Sequence, residues 1–168
     1  MIILGIDPGI AIVGFAVVQK DGRRLKPLQY GTLTTKPDLT TPARLRQIYR
    51  GMTTLLSEYK PDVLAIEKLF FNRNVTTAFT VGQARGVMLL AAEEAGVPVV
   101  EYTPLQVKQA VVGYGVAEKR QVQEMVKMLL GLSERPKPDD AADALAVAIC
   151  HAHSVQLEGQ LLRKGLRG

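Results

Sequence analysis

The stretch from Asp139 to about Ala152 constrains the fold most, because Ala141, Ala142, Ala144, Leu145, Ala146, Val147, Ala148 and Ile149 make a helix that is apolar almost all round. Such a helix belongs in a core, covered on every side. A chain of 168 residues, 47% of them hydrophobic, has enough material to cover it within one domain. Asp143 breaks the pattern. A buried carboxylate is costly unless a counter-charge meets it, and this helix contains no lysine or arginine. Asp140, three positions earlier, projects from the same face. Asp139, at the helix start, reads as an ordinary favourable charge at the positive end of the dipole.

The rest of the chain supplies the cover. Ile2 to Asp7 is a short apolar run stopped by Pro8-Gly9, the pattern of a buried strand ending in a tight turn. Gly14–Val18 and Leu28–Thr35, divided by the turn signal Asp21-Gly22, continue it as an antiparallel meander. A helix opens at Thr41-Pro42, with Thr41 as its cap, and buries a stripe of Leu45, Ile48, Met52, Leu55, Leu56 and Tyr59. Val63–Ile66 is a strand buried on both faces and closed by Glu67. Helices follow over about Thr76–Ala95, Pro104–Val112 and Ala117–Leu130, with a strand at Val97–Tyr102. This succession predicts an α/β fold: a mixed five-stranded sheet flanked by helices. Residues 1–153 form the domain. Beyond Ser154 periodicity fades, and 154–168 reads as a basic, flexible tail.

Asp7 and Glu67 both close buried strands at their carboxyl ends, where open sheets place their ligands. The plainer reading of Asp7 is a residue that starts the Pro8-Gly9 turn. If both acids join Asp140 and Asp143, repulsion becomes severe, at ~4 kcal/mol for two carboxylates about 4 Å apart in an effective dielectric near 20. An all-oxygen set favours Mg²⁺, with Mn²⁺ as the alternative, over zinc. Two such ions support in-line phosphodiester hydrolysis. The formal net charge of +5 suits a polyanionic partner. A single cysteine, Cys150, allows no internal disulfide, no apolar run approaches a membrane span, and Met1–Leu4 lacks a basic leader. A cytoplasmic setting without membrane attachment is expected.

In order along the chain, Leu4-Gly5-Ile6-Asp7-Pro8-Gly9, Ala65-Ile66-Glu67, Gly82-Gln83-Ala84-Arg85-Gly86, Val107-Lys108-Gln109, Val111-Val112-Gly113 and Asp140-Ala141-Ala142-Asp143-Ala144-Leu145-Ala146 resemble the RuvC Holliday-junction resolvases. The resemblance implies an RNase H-like fold with Asp7, Glu67, Asp140 and Asp143 as the catalytic and metal-binding set, holding two ions per subunit. Some members carry histidine in place of Asp140. It also implies a homodimer that nicks two opposing strands of a four-way DNA junction symmetrically during recombination and repair, together with the RuvA–RuvB branch-migration complex.

Lys108 and Lys119 match lysines that the family places near DNA, and Phe70 matches an aromatic that stacks on an unpaired base. Arg73 and Lys68 flank that aromatic loop as candidate phosphate contacts. The helix with Gly82, Ala84 and Gly86 is the candidate dimer interface. His151 and His153 read as partners of a helix C-terminal dipole. Three alternatives stay open: an actin-like ATP-binding protein sharing the opening Asp-x-Gly, a junction-binding module without catalysis, and a related nuclease for another branched or RNA-containing substrate. Comparative cleavage separates the last of these.

Overall fold

The computed structural model describes residues 1–69 and 75–165, with 158–165 as helix backbone alone. Phe70 and Arg73 therefore lie outside the described residues. Three strands, β1 (Ile2–Asp7), β2 (Ile12–Asp21) and β3 (Arg24–Thr34), run antiparallel as the expected meander. After helix α1 (Thr41–Tyr59), strand β4 (Val63–Glu67) pairs parallel with β1. After helix α2 (Val75–Glu94), strand β5 (Val99–Tyr102) pairs parallel with β4, giving the sheet order β3-β2-β1-β4-β5. Helices α3 (Pro104–Val112), α4 (Lys119–Leu130) and α5 (Asp139–Gly165) complete the chain.

The period of two along the strands decides which core each side chain enters. Leu4 and Ile6 of β1, Val13, Phe15 and Val17 of β2, and Leu64 and Ile66 of β4 pack under α1 and α2. Ile3, Ala16, Val18, Val63 and Ala65 point the other way, toward α3, α4 and α5. By the same alternation, Asp7 follows Ile3 and Gly5, and Glu67 follows Val63 and Ala65. Both acids thus belong to the α5 face.

Small residues let α5 lie directly on that face. A Cβ on Gly5 would stand 2.3 Å from the Ala144 carbonyl oxygen, and one on Gly14 would stand 1.9 Å from that of Asp140. Ala141, Ala144, Ala148, Leu145 and Ile149 are almost wholly buried, as a core helix requires.

Three boundaries differ from the sequence expectation. The N-cap of α1 is Thr40, so Thr41 and Pro42 occupy the first helical turn. Strand β5 starts at Val99 because the Val97 amide donates to the Ala92 carbonyl and closes α2. The third difference is larger. α5 does not stop near Ala152 but continues to Gly165, so most of the segment expected as a flexible tail is helical. A nucleated helix extends at small cost through residues such as Gln156, Leu157 and Gln160, even where no apolar stripe calls for it.

Candidate active site

The last parallel rung between the two central strands joins Ile6 to Ile66. The next residues are Asp7 and Glu67, so the two carboxylates stand side by side at the carboxyl ends of adjacent strands. On its other edge Asp7 pairs with Gly14, the residue directly beneath the Asp140 carbonyl. The first turn of α5 is thereby held over the strand ends, and Asp143 follows one turn later. Asp7, Glu67 and Asp143 line one cleft of about 260 Å³ with Lys108 of α3 and Lys119 of α4. Pro104, Val107, Val122 and Ala146 give it apolar walls. Asp140 is outside that lining but close enough to act on Asp7.

Burial pushes the Asp7 carboxyl up to about 8, and Asp143, Glu67 and Asp140 push the same way. Burial likewise pushes Glu67 up to about 7, with Asp143 adding to it and Lys108 opposing. Asp143 is also raised, mainly by burial, although Lys119 counters that rise. The Lys119 ammonium lies 3.2 Å from Asp143 Oδ2 and 3.3 Å from Asp139 Oδ2. Partial burial disfavours its charge, but the two aspartates outweigh this and hold its pKa above the usual lysine value. One bridging lysine therefore tempers the acid cluster without neutralising it.

Among the described residues, no three His, Cys, Asp or Glu side chains close around a metal-sized space. Asp7, Glu67 and Asp143 share one cleft rather than one coordination shell. Their chemistry nevertheless fits a hard divalent cation: the donors are all carboxylate oxygens, Asp143, Glu67 and Asp140 raise the proton affinity of Asp7, and Asp143 raises that of Glu67.

The single-residue expectations for Asp139 and His151 need correction. Asp139 does more than favour a helix dipole, since its Oδ1 accepts from Gln123 Nε2 at 2.9 Å while Oδ2 faces Lys119. His151 is buried two turns beyond Asp143, with its Nδ1 2.8 Å from the Tyr102 hydroxyl, and the helix end it was expected to serve lies much further on. His153 Nδ1 is 2.9 Å from the Ala110 carbonyl of α3. Lys68 lies 3.9 Å from Glu101, which also pairs with Arg85. On α2, Ala84 is in the core of its own chain and Gly86 meets open space, while Val75, Phe79 and Leu90 are exposed. Cys150 is buried, as expected.

Gln123 and Tyr102 carried no recognisable signal in the sequence. A polar residue four positions from Lys119 on one helix face is too common to single out. Tyr102, at the end of β5 beside Glu67, looked like one more strand residue.

A mixed sheet in this order, helices on both faces, and acids gathered at the ends of the two central strands define the RNase H-like nucleases. Known proteins of similar sequence and structure agree with this class and narrow it. The sequence model of the family described as crossover junction endodeoxyribonuclease RuvC matches residues 3–151. A crossover junction endodeoxyribonuclease RuvC from Brevibacillus brevis is 68% identical over 152 residues, covering 90% of this chain and 92% of the relative. The Thermus thermophilus RuvC structure superposes with a TM-score of 0.89 at 40% identity, covering 94% of this chain and 97% of that one. T. thermophilus RuvC in complex with a Holliday junction substrate gives 0.90 at 41% identity, with 94% and 96% covered. The chain belongs to the RuvC family. Nucleases of this family are metal-dependent.

Proposed function

We infer that this chain cuts four-way DNA junctions as a crossover junction endodeoxyribonuclease, hydrolysing one phosphodiester in each of two opposing strands during recombination and repair. The observation that carries this reading is the placement of Asp7 and Glu67 side by side at the strand ends, with Asp143 facing the same cleft. The relatives of the same family carry that activity in their names, and a T. thermophilus relative has been solved with a Holliday junction.

Asp7, Glu67, Asp140 and Asp143 are proposed as the ligands of two Mg²⁺ ions, with Mn²⁺ able to substitute. When bound, such ions make a hydroxide-like nucleophile from water and stabilise the departing 3′ oxygen. The chain's own contribution is positioning. Asp7 and Glu67 are fixed by the sheet, Asp140 and Asp143 by the helix that lies on it. The raised proton affinities of Asp7, Glu67 and Asp143 mean that cation binding releases protons. Lys108 and Lys119, on the cleft wall, are proposed to meet phosphates of the cut strand. Phe70 is proposed to stack on a base at the crossover, with Arg73 and Lys68 contacting backbone.

Two symmetric cuts call for two copies. A homodimer through the exposed apolar residues of α2, with Phe79 66% and Leu90 53% exposed, pairs identical sites across a two-fold axis. Residues 1–153 are proposed as the nuclease domain, and RuvA–RuvB as its partner in the cytoplasm. No helix among the described residues is long and apolar enough to cross a membrane.

The test is an end-labelled four-way junction incubated with protein and Mg²⁺, beside linear duplex and RNA–DNA hybrid. Paired, symmetric, ligatable nicks in the junction alone are expected, and Asp7→Asn abolishes them. Equal cutting of duplex or hybrid would replace this reading with that of a general nuclease.

A further inference from the structure

Two helix faces meet at the edge of the cleft, each presenting a pair of side chains one turn apart. Lys119 and Gln123 stand on α4, and Asp139 and Asp143 stand opposite on α5. Gln123 is 8% exposed, and its amide donates to Asp139 Oδ1 at 2.9 Å. The other oxygen of Asp139 faces the Lys119 ammonium at 3.3 Å, and the same ammonium reaches Asp143 Oδ2 at 3.2 Å. Asp139 is thus a bridge: one oxygen is fixed by a buried amide, and the other holds a cation that is shared with a cleft carboxylate.

We propose that Asp139, oriented by Gln123, is a positioning residue that retains Lys119 at the cleft when Asp143 turns to its other partner. The proposal rests on reading the cleft as the nuclease site. A divalent ion bound by Asp143 would draw negative charge from that carboxylate and repel the ammonium, weakening this anchor. With Asp143 as its sole anchor, the lysine would be released into solvent at the moment the site loads. Its second anchor, already held in place, keeps the ammonium within reach of the strand being cut. Asp139 itself touches neither the reacting atoms nor the apolar walls, and its side chain is 63% exposed, so packing does not explain its arrangement.

Competitive amine labelling, read at Lys119 by mass spectrometry, tests the network independently of cleavage. In saturating Mg²⁺ without DNA, wild-type Lys119 is expected to stay protected, and Asp139→Asn or Gln123→Met to raise its labelling rate about tenfold, the scale of one charge-assisted contact. Under single-turnover conditions both variants are expected to cut junctions about tenfold more slowly, with junction affinity lowered by no more than one phosphate contact, and Asp139→Glu to restore much of the rate. A purely structural role would instead lower the melting temperature and leave labelling in the folded protein unaltered.

Unchanged Lys119 labelling in both variants would overturn the proposal, even if the wild type cuts junctions normally. Failure of the wild type to cut junctions, with labelling changed as expected, would leave the network standing and remove the nuclease reading.

Discussion

The carbonyl oxygen of Asp140 sits over Gly14 so closely that a Cβ there would come within 1.9 Å of it. Gly14 is also the antiparallel partner of Asp7. The same contact therefore sets how near the start of α5 comes to the end of β1, linking packing to the spacing of the acids. Gly14→Ala is expected to lose ~3 kcal/mol or more of stability, since the obstacle is backbone and cannot rotate away. Urea unfolding measures it. Gly86→Ala, measured in the Phe79→Asp background, is the control, because a Cβ there meets nothing within 4 Å in its own chain. That change is expected to stabilise the helix by about 0.5–1 kcal/mol.

The pH dependence of the metal-free protein follows from the two strand-end acids. Burial and neighbouring charge raise Asp7 from 3.8 to about 8 and Glu67 from 4.5 to about 7. The folded protein thus holds protons that the unfolded chain has released, and stability falls as pH climbs from about 4 through 7 and 8. Between pH 5 and pH 8, in chelator, the wild type is expected to lose on the order of a few kcal/mol more than Asp7→Asn. Parallel curves for the two proteins would show that Asp7 is ionised throughout.

Much of this site could be read in the chain before any coordinates. Asp7 and Glu67 ended apolar runs of strand length, and Asp143 stood in a helix with no polar face, so each violated a local rule and drew notice. Asp139 violated none, because an acid at a helix start is ordinary. Its bridge to Lys119 depends on how α4 and α5 meet, which no periodicity encodes. The extension of α5 to Gly165 was hidden for a related reason: an amphipathic stripe marks a helix that packs, and propensity alone marks the remainder weakly. The role of His151 followed from the same misplaced helix end.

Lys108 faces the cleft and lowers the proton affinity of Glu67, which places a positive charge beside the strand-end acids. Lys108→Ala is expected to weaken junction binding across all sequences and to flatten the plot of log affinity against log salt by about 0.9, the contribution of one phosphate contact. Fluorescence anisotropy at several salt concentrations reads both effects.

Phe79→Asp places a charge in the exposed apolar row of α2. Sedimentation is expected to show the wild type as a dimer and the variant as an 18.3 kDa monomer. The monomer should nick junctions on one strand at a time, with the second cut uncoupled from the first. A variant that remains dimeric would move the interface elsewhere.

Crystals soaked in Mn²⁺ and measured at its absorption edge address the acid cluster most directly. The expected anomalous peaks lie about 2.1 Å from carboxylate oxygens of Asp7 and Glu67, with Asp140 or Asp143 completing the shell and Lys119 withdrawn toward Asp139. A well-ordered crystal with no peak in this cleft, and with Asp143 still held by Lys119 at high Mn²⁺, would contradict the account.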